Sequence, residues 1–279
     1  MSKRCMLTGI IVKNISDTYI VKAGFNFYEC KARGKFRKDG LTPLVGDKVE
    51  FDADNLYILN ILERKNELER PSISNVDVAL IISSVKKPDL SLYLLDKQIS
   101  SIVLAKVKPV ICFTKIDLLN KEEIKELKKI IKYYKKIGYS VFTNQKLKPL
   151  LKALKKKIVV LTGQTGAGKS SLLNKIDSKL NLKTGEISDA LGRGKHTTRH
   201  TEFFLVKDIY FADTPGFSAL DLNKYTKEEI RDSFGEFSNY TCEFRNCMHV
   251  KEQNCEIKKQ VEKGNILRSR YENYCDFIK

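Results

Sequence analysis

Short apolar runs alternate with turns through the first 65 residues, and the run at 25–32 alternates apolar and polar residues with a period of two. The runs occupy 8–12, 19–21, 25–32, 47–51 and 57–62. Alternation predicts strands with one buried face, because successive side chains of a strand point to opposite sides of its sheet. Five short strands without an intervening helix predict an OB-fold-like β-barrel over residues 1–65.

The pattern changes beyond a segment at 66–75, which contains Pro71 and is expected to be a linker. Near-continuous apolar runs occur at 76–82, 108–113, 139–142 and 158–161, and helical periodicity occurs between them at 90–104, 122–134 and 147–157. Continuous apolar runs predict strands that are covered on both faces. Their alternation with helices predicts a doubly wound α/β domain over 72–222.

Two regions complete this organisation. The runs at 203–206 and 209–212 are separated by a short turn and predict an antiparallel pair at the end of the α/β domain. Strand patterns then stop, and 223–279 predicts a small helical domain that carries several cysteines. We therefore expect a multidomain protein of three parts.

A glycine-rich segment follows the apolar run at 158–161. Gly163, Gln164, Thr165, Gly166, Ala167, Gly168, Lys169 and Ser170 match the phosphate-loop pattern G-x-x-x-x-G-K-[ST] without a mismatch, and Ser171 continues into an amphipathic helix. Glycines let successive backbone N–H groups turn toward phosphate oxygens, and the helix N-terminus adds the positive end of its dipole. Lys169 is expected to reach the β- and γ-phosphates, and Ser170 to place its hydroxyl on Mg²⁺.

Two further short motifs select the base. Thr114, Lys115, Ile116 and Asp117 follow a predicted strand and match [NT]-K-x-D, and Asp213 and Gly216 belong to a D-x-x-G motif after the run at 209–212. The Asp117 carboxylate can accept hydrogen bonds from both N1–H and N2–H₂ of guanine, and adenine has no such donor pair. Asp213 can hold the Mg²⁺ shell, and the Gly216 N–H can meet the γ-phosphate. All three motifs lie where α/β sheets bind ligands, which predicts a site for GTP or GDP with Mg²⁺.

The base-reading motif precedes the phosphate loop by about fifty residues instead of following it. Neighbouring strand ends stay together wherever a chain is cut and rejoined, so this order predicts a circularly permuted P-loop GTPase domain. An ATP-dependent P-loop enzyme, such as a small-molecule kinase, is the first alternative. A nucleotide-sensing RNA-binding module without significant catalysis is the second.

The net charge of the chain indicates a class of binding partner. The 279 residues carry a formal net charge of +17, and 121–157 holds thirteen lysines against three acidic residues. Such a surface attracts polyanions, of which RNA is the commonest in the cytosol. A solvated, lysine-rich helix face is the alternative explanation. Because no apolar run approaches the roughly 20 residues of a membrane helix and no secretory signal is evident, we expect a cytoplasmic protein that does not bind membranes.

Three of the seven cysteines cluster with a histidine. Cys242, Cys247, His249 and Cys255 fall within fourteen residues and can satisfy one tetrahedral Zn²⁺ of Cys₃His type. Four protein ligands leave no position for a catalytic water, so we expect a single structural ion. Cys275 is a weaker fifth candidate, and ordinary thiols beside a surface histidine are the alternative.

In this set of motifs the chain resembles the small-ribosomal-subunit biogenesis GTPases called RsgA. The resemblance covers nearly the whole chain and includes the permuted motif order, the barrel-like beginning, the phosphate loop, the run at 192–198 and the pattern C-x4-C-x-H-x5-C. It implies a cytosolic factor that binds the small ribosomal subunit and its rRNA late in assembly and hydrolyses GTP when docked there. We expect a monomer.

The run at 192–198 is similar to the switch segment of that family. Phe217 stands where a water-positioning glutamine usually follows D-x-x-G, and an apolar side chain cannot orient water. The resemblance therefore makes His196 the candidate that assists hydrolysis beside Lys169, with His200 a weaker one. Thr198, or alternatively Thr197, can supply a second protein oxygen to Mg²⁺.

Overall fold

The computed structural model describes residues 5–34, 36, 40–69, 72–182, 202–212 and 221–279. The chain forms two compact units. The first comprises 1–79, 151–162 and 169–218, and the second comprises 80–150, 163–168 and 219–279, each taken over its described residues. No helix in these described ranges combines the length and the apolar character that a membrane crossing requires.

A closed barrel of five strands forms the beginning of the first unit. Its strands are β1 (Met6–Ile15), β2 (Thr18–Ala23), β3 (Asn26–Ala32), β4 (Lys48–Asp52) and β5 (Tyr57–Ile61), in the order β1-β2-β3-β5-β4. The inward positions, which include Ile11, Val21 and Val49, are fully buried. The strand pairs are antiparallel except β3 with β5. The predicted barrel is therefore confirmed, and its strands coincide with the short apolar runs of the sequence.

The segment expected to be a linker contains a short hairpin. Strands β6 (Glu67–Glu69) and β7 (Ser72–Ser74) pair antiparallel, with Leu68 opposite Ile73. Both of these apolar side chains are buried, and Ile73 also forms a bridge to Val45. Three-residue strands are too short for a periodic signal, so Pro71 is the stronger signal in this stretch of sequence and favours a linker.

The central sheet has six strands in the order β10-β9-β8-β11-β13-β12. They are β8 (Val78–Ser84), β9 (Lys108–Thr114), β10 (Ser140–Thr143), β11 (Ile158–Thr162), β12 (Phe203–Val206) and β13 (Ile209–Ala212). β9 runs parallel to β10, and β11 runs parallel to β13, while β12 and β13 are antiparallel as predicted. The phosphate-loop strand β11 thus follows the base-motif strand β9 along the chain, which gives the sheet its permuted order.

Seven α-helices are described. They are α1 (Leu92–Leu104), α2 (Lys121–Lys136), α3 (Leu147–Leu154), α4 (Lys169–Ile176), α5 (Lys227–Asp232), α6 (Glu256–Glu262) and α7 (Arg268–Phe277). Capping boxes fix the starts of α2 and α5, through Asn120 with Glu123 and Thr226 with Glu229. The helical region predicted after residue 223 is confirmed, and its core includes the buried side chains of Phe234, Ile257 and Tyr274.

A buried ion cluster joins α7 to α1 inside the second unit. The Arg270 guanidinium donates to Asp96 Oδ1 at 2.6 Å and to both carboxylate oxygens of Glu236, with Nη2 at 3.1 Å from Oε2. Tyr134 and Asn273 also donate to Asp96, at 2.6 and 2.7 Å. Burial alone would lower the pKa of Arg270, but attraction to Asp96 and Glu236 outweighs it and raises that pKa well above its ordinary value.

Candidate nucleotide and metal sites

The phosphate loop requires its first glycine for a steric reason. Gly163 has φ +143°, and a Cβ at this position would lie 2.2 Å from the carbonyl oxygen of Ile82 on β8. Gly166 and Gly168 also have positive φ, at +77° and +91°. Larger side chains rarely adopt this backbone geometry, so glycine is what allows the loop to turn tightly between β11 and α4. The pattern fixes Gly163 and Gly168 as glycines, and Gly166 is a third glycine at an unrestricted position of the motif.

Helix α4 begins directly after this loop, at Lys169. Burial lowers the pKa of Lys169, because a partly desolvated ammonium loses hydration that stabilises its charge. Ser170 is buried at the same helix end, whereas Ser171 is exposed. A polyphosphate beside Lys169 would restore a favourable environment for the positive charge, which is the chemistry that the motif predicts for this residue.

The base motif is tied to the phosphate loop within the second unit. Thr114 ends β9, is buried, and donates its hydroxyl to the carbonyl oxygen of Ala167 at 2.6 Å. Lys115 adopts φ +60° and donates its ammonium to the carbonyl oxygen of Lys87. The Val85 N–H donates to the Thr114 carbonyl at 3.2 Å. The predicted base motif therefore lies against the predicted phosphate loop, and Thr114 joins them.

A 3-10 turn at Ile116–Leu118 carries the rest of the motif. The side chain of Ile116 is buried, whereas the side chain of Asp117 is exposed to solvent. Asn144 follows β10, the strand next to β9, and its Oδ1 is buried without a hydrogen-bond partner among the described residues. Buried polar oxygens rarely remain without a donor, so Asn144 is a further residue to consider at this strand edge.

Several predicted site residues lie outside the described part of the chain. These are Asp213, Gly216 and the segment 192–198 with His196, Thr197 and Thr198, together with His200 and Phe217. The roles of these residues therefore remain predictions from the sequence.

The four candidate zinc ligands converge. The ligand atoms of Cys242, Cys247, His249 and Cys255 all lie within 4.8 Å of one another. The Sγ atoms of Cys242 and Cys255 are 3.8 Å apart, and the Nδ1 atom of His249 lies 3.5 and 3.3 Å from them. A tetrahedral zinc with metal–sulfur bonds of about 2.3 Å requires sulfur ligands about 3.8 Å apart. The donor set therefore fits a tetrahedral ion.

Hydrogen bonds from neighbouring residues shape the ligand loop. The Glu252 carboxylate accepts the N–H groups of Met248 and Val250, each at 2.9 Å, which closes the turn around His249. Tyr271 on α7 donates to the His249 carbonyl oxygen at 2.6 Å. Burial raises the pKa of the Cys247 thiol to about 12, so a cation is needed to hold it as a thiolate. Cys275 is not part of the convergent group.

A phosphate loop that follows its base motif along the chain, yet is bonded to it, defines a circularly permuted P-loop nucleotide-binding protein. Family models agree with this class: the model described as RsgA GTPase matches residues 61–223, and the RsgA N-terminal domain matches 8–57. The chain belongs to the RsgA family of GTP hydrolases. Membership confirms the GTPase interpretation over the ATP-dependent alternative and implies the use of GTP, GDP and Mg²⁺.

Whole-chain relatives and solved structures agree. A protein of Limosilactobacillus fermentum named small ribosomal subunit biogenesis GTPase RsgA is 45% identical, over 98% of this chain and 96% of the relative. A protein of the same name from Enterococcus faecalis is 45% identical, over 98% and 94% of the two chains. The crystal structure of YloQ, titled a circularly permuted GTPase, matches with a TM-score of 0.84 and 34% identity, over 98% of this chain and 94% of that one. YjeQ from Thermotoga maritima gives the same TM-score at 32% identity, over 98% and 97%.

Proposed function

We propose that this chain is a GTPase that binds the small ribosomal subunit, assists its late maturation, and hydrolyses GTP to GDP and phosphate with turnover that the subunit stimulates. The bond from Thr114 to the carbonyl of Ala167 carries the nucleotide part of this proposal, because it holds the base motif against the phosphate loop. The names of the relatives supply the subunit. The net charge of +17 supports contact with its rRNA.

The residues divide the work at the nucleotide. Asp117 is exposed after the turn at Ile116–Leu118, so its carboxylate is accessible to the N1–H and N2–H₂ donors of guanine. The loop 163–168 offers backbone N–H groups to the phosphates, and Lys169 offers its ammonium. Ser170 and Thr198 are the proposed protein ligands of Mg²⁺, which would neutralise phosphate charge, and Asp213 would help to hold its hydration shell.

Hydrolysis itself is assigned to a residue that only the sequence identifies. We assign His196 to the orientation or activation of the attacking water, because Phe217 cannot perform that task. Gly216 is assigned to the γ-phosphate through its backbone N–H. GTP would order these segments, and the docked subunit would complete the arrangement around them.

One structural Zn²⁺ is proposed at Cys242, Cys247, His249 and Cys255. The fit of the sulfur and nitrogen separations to a tetrahedron supports it, as does the burial of three of the four ligands. Such an ion would cross-link the loop between α5 and α6, a segment too short to build a core of its own.

The organisation of the protein is proposed as three domains, at 1–65, 72–222 and 223–279. The match of 8–57 to the RsgA N-terminal domain supports a separate barrel. A cytoplasmic monomer is proposed, because ribosomal subunits assemble in the bacterial cytoplasm and every residue assigned to the site belongs to one chain.

The test is GTP turnover with and without purified small subunits. We expect slow turnover alone, acceleration by subunits, and loss of most of that acceleration in His196→Ala with nucleotide binding retained. Equal turnover with and without subunits would contradict the proposed function. Unchanged acceleration in His196→Ala would remove only that residue from the mechanism.

Asp117→Asn provides the control for the base. An amide presents a donor where the carboxylate accepted, so this variant should lose GTP binding and gain binding of xanthosine triphosphate, whose 2-oxo group accepts that donor. If subunits still accelerate hydrolysis of xanthosine triphosphate by this variant, the site that binds the base is also the site whose turnover the subunit stimulates.

A further inference from the structure

A groove of about 610 Å³ lies on the second unit, between the loop after β8 and the start of α2. Its apolar surface includes Leu90, Leu119, Leu127 and Ile130, of which only Leu127 is fully shielded from solvent. Four carboxylates line it, those of Asp89, Glu122, Glu123 and Glu126, beside the single cation of Lys86. The groove is therefore apolar at its base and acidic at its rim.

The acidic rim contrasts with the charge of the surrounding chain. Residues 121–157 contain thirteen lysines and only three acidic residues, and those three, on α2, all line the groove. None of the thirteen lysines does so. Helix α2 thus presents carboxylates on this side and lysines elsewhere, which makes the groove repel the RNA phosphates that the rest of the surface attracts.

Part of this acidic rim is available to a partner. Glu123 accepts the Lys86 ammonium at 2.8 Å and caps α2 through Asn120, and Glu126 pairs with Lys129 at 2.7 Å. Asp89 and Glu122 are exposed and have no ion-pair partner within the described chain. A cation that approaches these two carboxylates would displace no internal bond.

We propose that the groove binds a basic segment of a small-subunit protein, with an apolar side chain seated on Leu90 and Leu119 and lysine or arginine side chains at Asp89 and Glu122. This inference rests on the proposed function. Within a particle of RNA and protein, the RNA is excluded by its charge, and the proteins that neutralise phosphate are themselves basic. Charge complementarity therefore selects the protein component as the occupant.

One residue that lines the groove also contacts the base motif of the nucleotide site. Val85 lines the groove and its N–H bonds the carbonyl of Thr114, while the Lys87 carbonyl two residues later accepts the Lys115 ammonium. An occupant that steadies the loop at 85–90 would steady the base motif with it. Docking in the groove is thereby linked to the subunit-dependent stimulation of turnover.

The test reverses the two available carboxylates, in the double variant Asp89→Lys/Glu122→Lys. We expect its affinity for purified small subunits to fall by about tenfold or more at physiological salt, since like charges then face each other, while turnover without subunits is unchanged. The matched control is Glu262→Lys/Glu272→Lys, which makes the same charge change at exposed positions of the same unit outside the groove. Its affinity should not fall.

A photo-cross-linking residue at Leu90 identifies the occupant, with one at exposed Tyr93 as the control position. Cross-linking to a lysine- or arginine-rich segment of a subunit protein, from Leu90 and not from Tyr93, supports the proposal. Cross-links to rRNA alone, no cross-link, or full affinity in the double variant would overturn it while leaving the proposed function intact. If the parent chain itself fails to bind subunits, both fail.

Discussion

The Arg270 cluster and the Cys₃His cluster are both buried and both are tied to helix α7, yet they balance charge in opposite ways. Around Arg270, one guanidinium meets two carboxylates, and donors from Tyr134 and Asn273 complete the bonding of Asp96. Around His249, three thiols and an imidazole converge, and the nearby Arg231 guanidinium donates to the carbonyl oxygen of Cys247 at 3.4 Å. The first cluster is complete within the protein, whereas the proposed Zn²⁺ would complete the second.

This difference shows what each solution requires of a sequence. An internal counter-charge needs partners that folding brings together from far apart, since Asp96 and Arg270 are 174 residues distant. A metal needs only local spacing, because the ion supplies the charge and the geometry. The proposed Zn²⁺ could be removed by a chelator, whereas the guanidinium is part of the chain.

Removing the metal should lower the stability of the protein more than any change to the Arg270 cluster. Apparent zinc-binding free energies of structural sites are roughly 10–16 kcal/mol, so a strong chelator, or Cys255→Ser, should unfold the ligand loop and lower the melting temperature sharply. The measurement is bound zinc per chain together with thermal unfolding. Cys275→Ser is the control, because Cys275 lies outside the convergent group and should keep one zinc. Equal stability with and without chelator would remove the structural role.

Arg270→Met should have the next largest effect. It leaves Asp96 and Glu236 buried without a cation, which costs about 3–5 kcal/mol of unfolding free energy. Urea denaturation measures this, with Arg268→Met as the control, since Arg268 starts the same helix but is exposed. The triple variant that adds Asp96→Asn and Glu236→Gln should recover part of the loss. If both single arginine variants unfold at the same urea concentration, the cluster does not stabilise the fold.

Tyr134→Phe should have the smallest effect of the three. It removes one donor to Asp96 but leaves those of Arg270 and Asn273, and a hydrogen bond to a charged group contributes about 1.5–3 kcal/mol. Tyr93→Phe, at an exposed position, should change the unfolding free energy by less than about 0.5 kcal/mol. A loss from Tyr134→Phe as large as that from Arg270→Met would show that the hydroxyl, and not the ion pair, holds the cluster.

Most of the fold could be predicted because periodicity reports burial directly. The barrel strands and the α/β sheet follow from alternating and continuous apolar runs, and both are confirmed. The hairpin at β6 and β7 could not be predicted, since Leu68 and Ile73 give one buried apolar position in each strand and no period. The division into three domains stays a prediction.

The sites also differ in how far the sequence could predict them. The phosphate loop and the Cys₃His cluster are local in sequence, so the spacing of their residues is enough to identify them. The sequence marks Thr114 only as part of the base motif, and its bond to Ala167 depends on a contact across 53 residues that no spacing reveals. The Arg270 cluster gives no signal in the sequence, because its members lie far apart along the chain. The acidic groove gives none either, because α2 carries seven lysines against three glutamates and its net positive charge hides the acidic side.

The separation of Asp96 and Arg270 along the sequence has a consequence for synthesis of the chain. At about 5–20 residues per second, a ribosome makes Arg270 roughly 10–35 seconds after Asp96. During that interval helix α1 carries a carboxylate whose cationic partner has not been translated. The second unit therefore cannot complete this ion cluster before α7 has been translated.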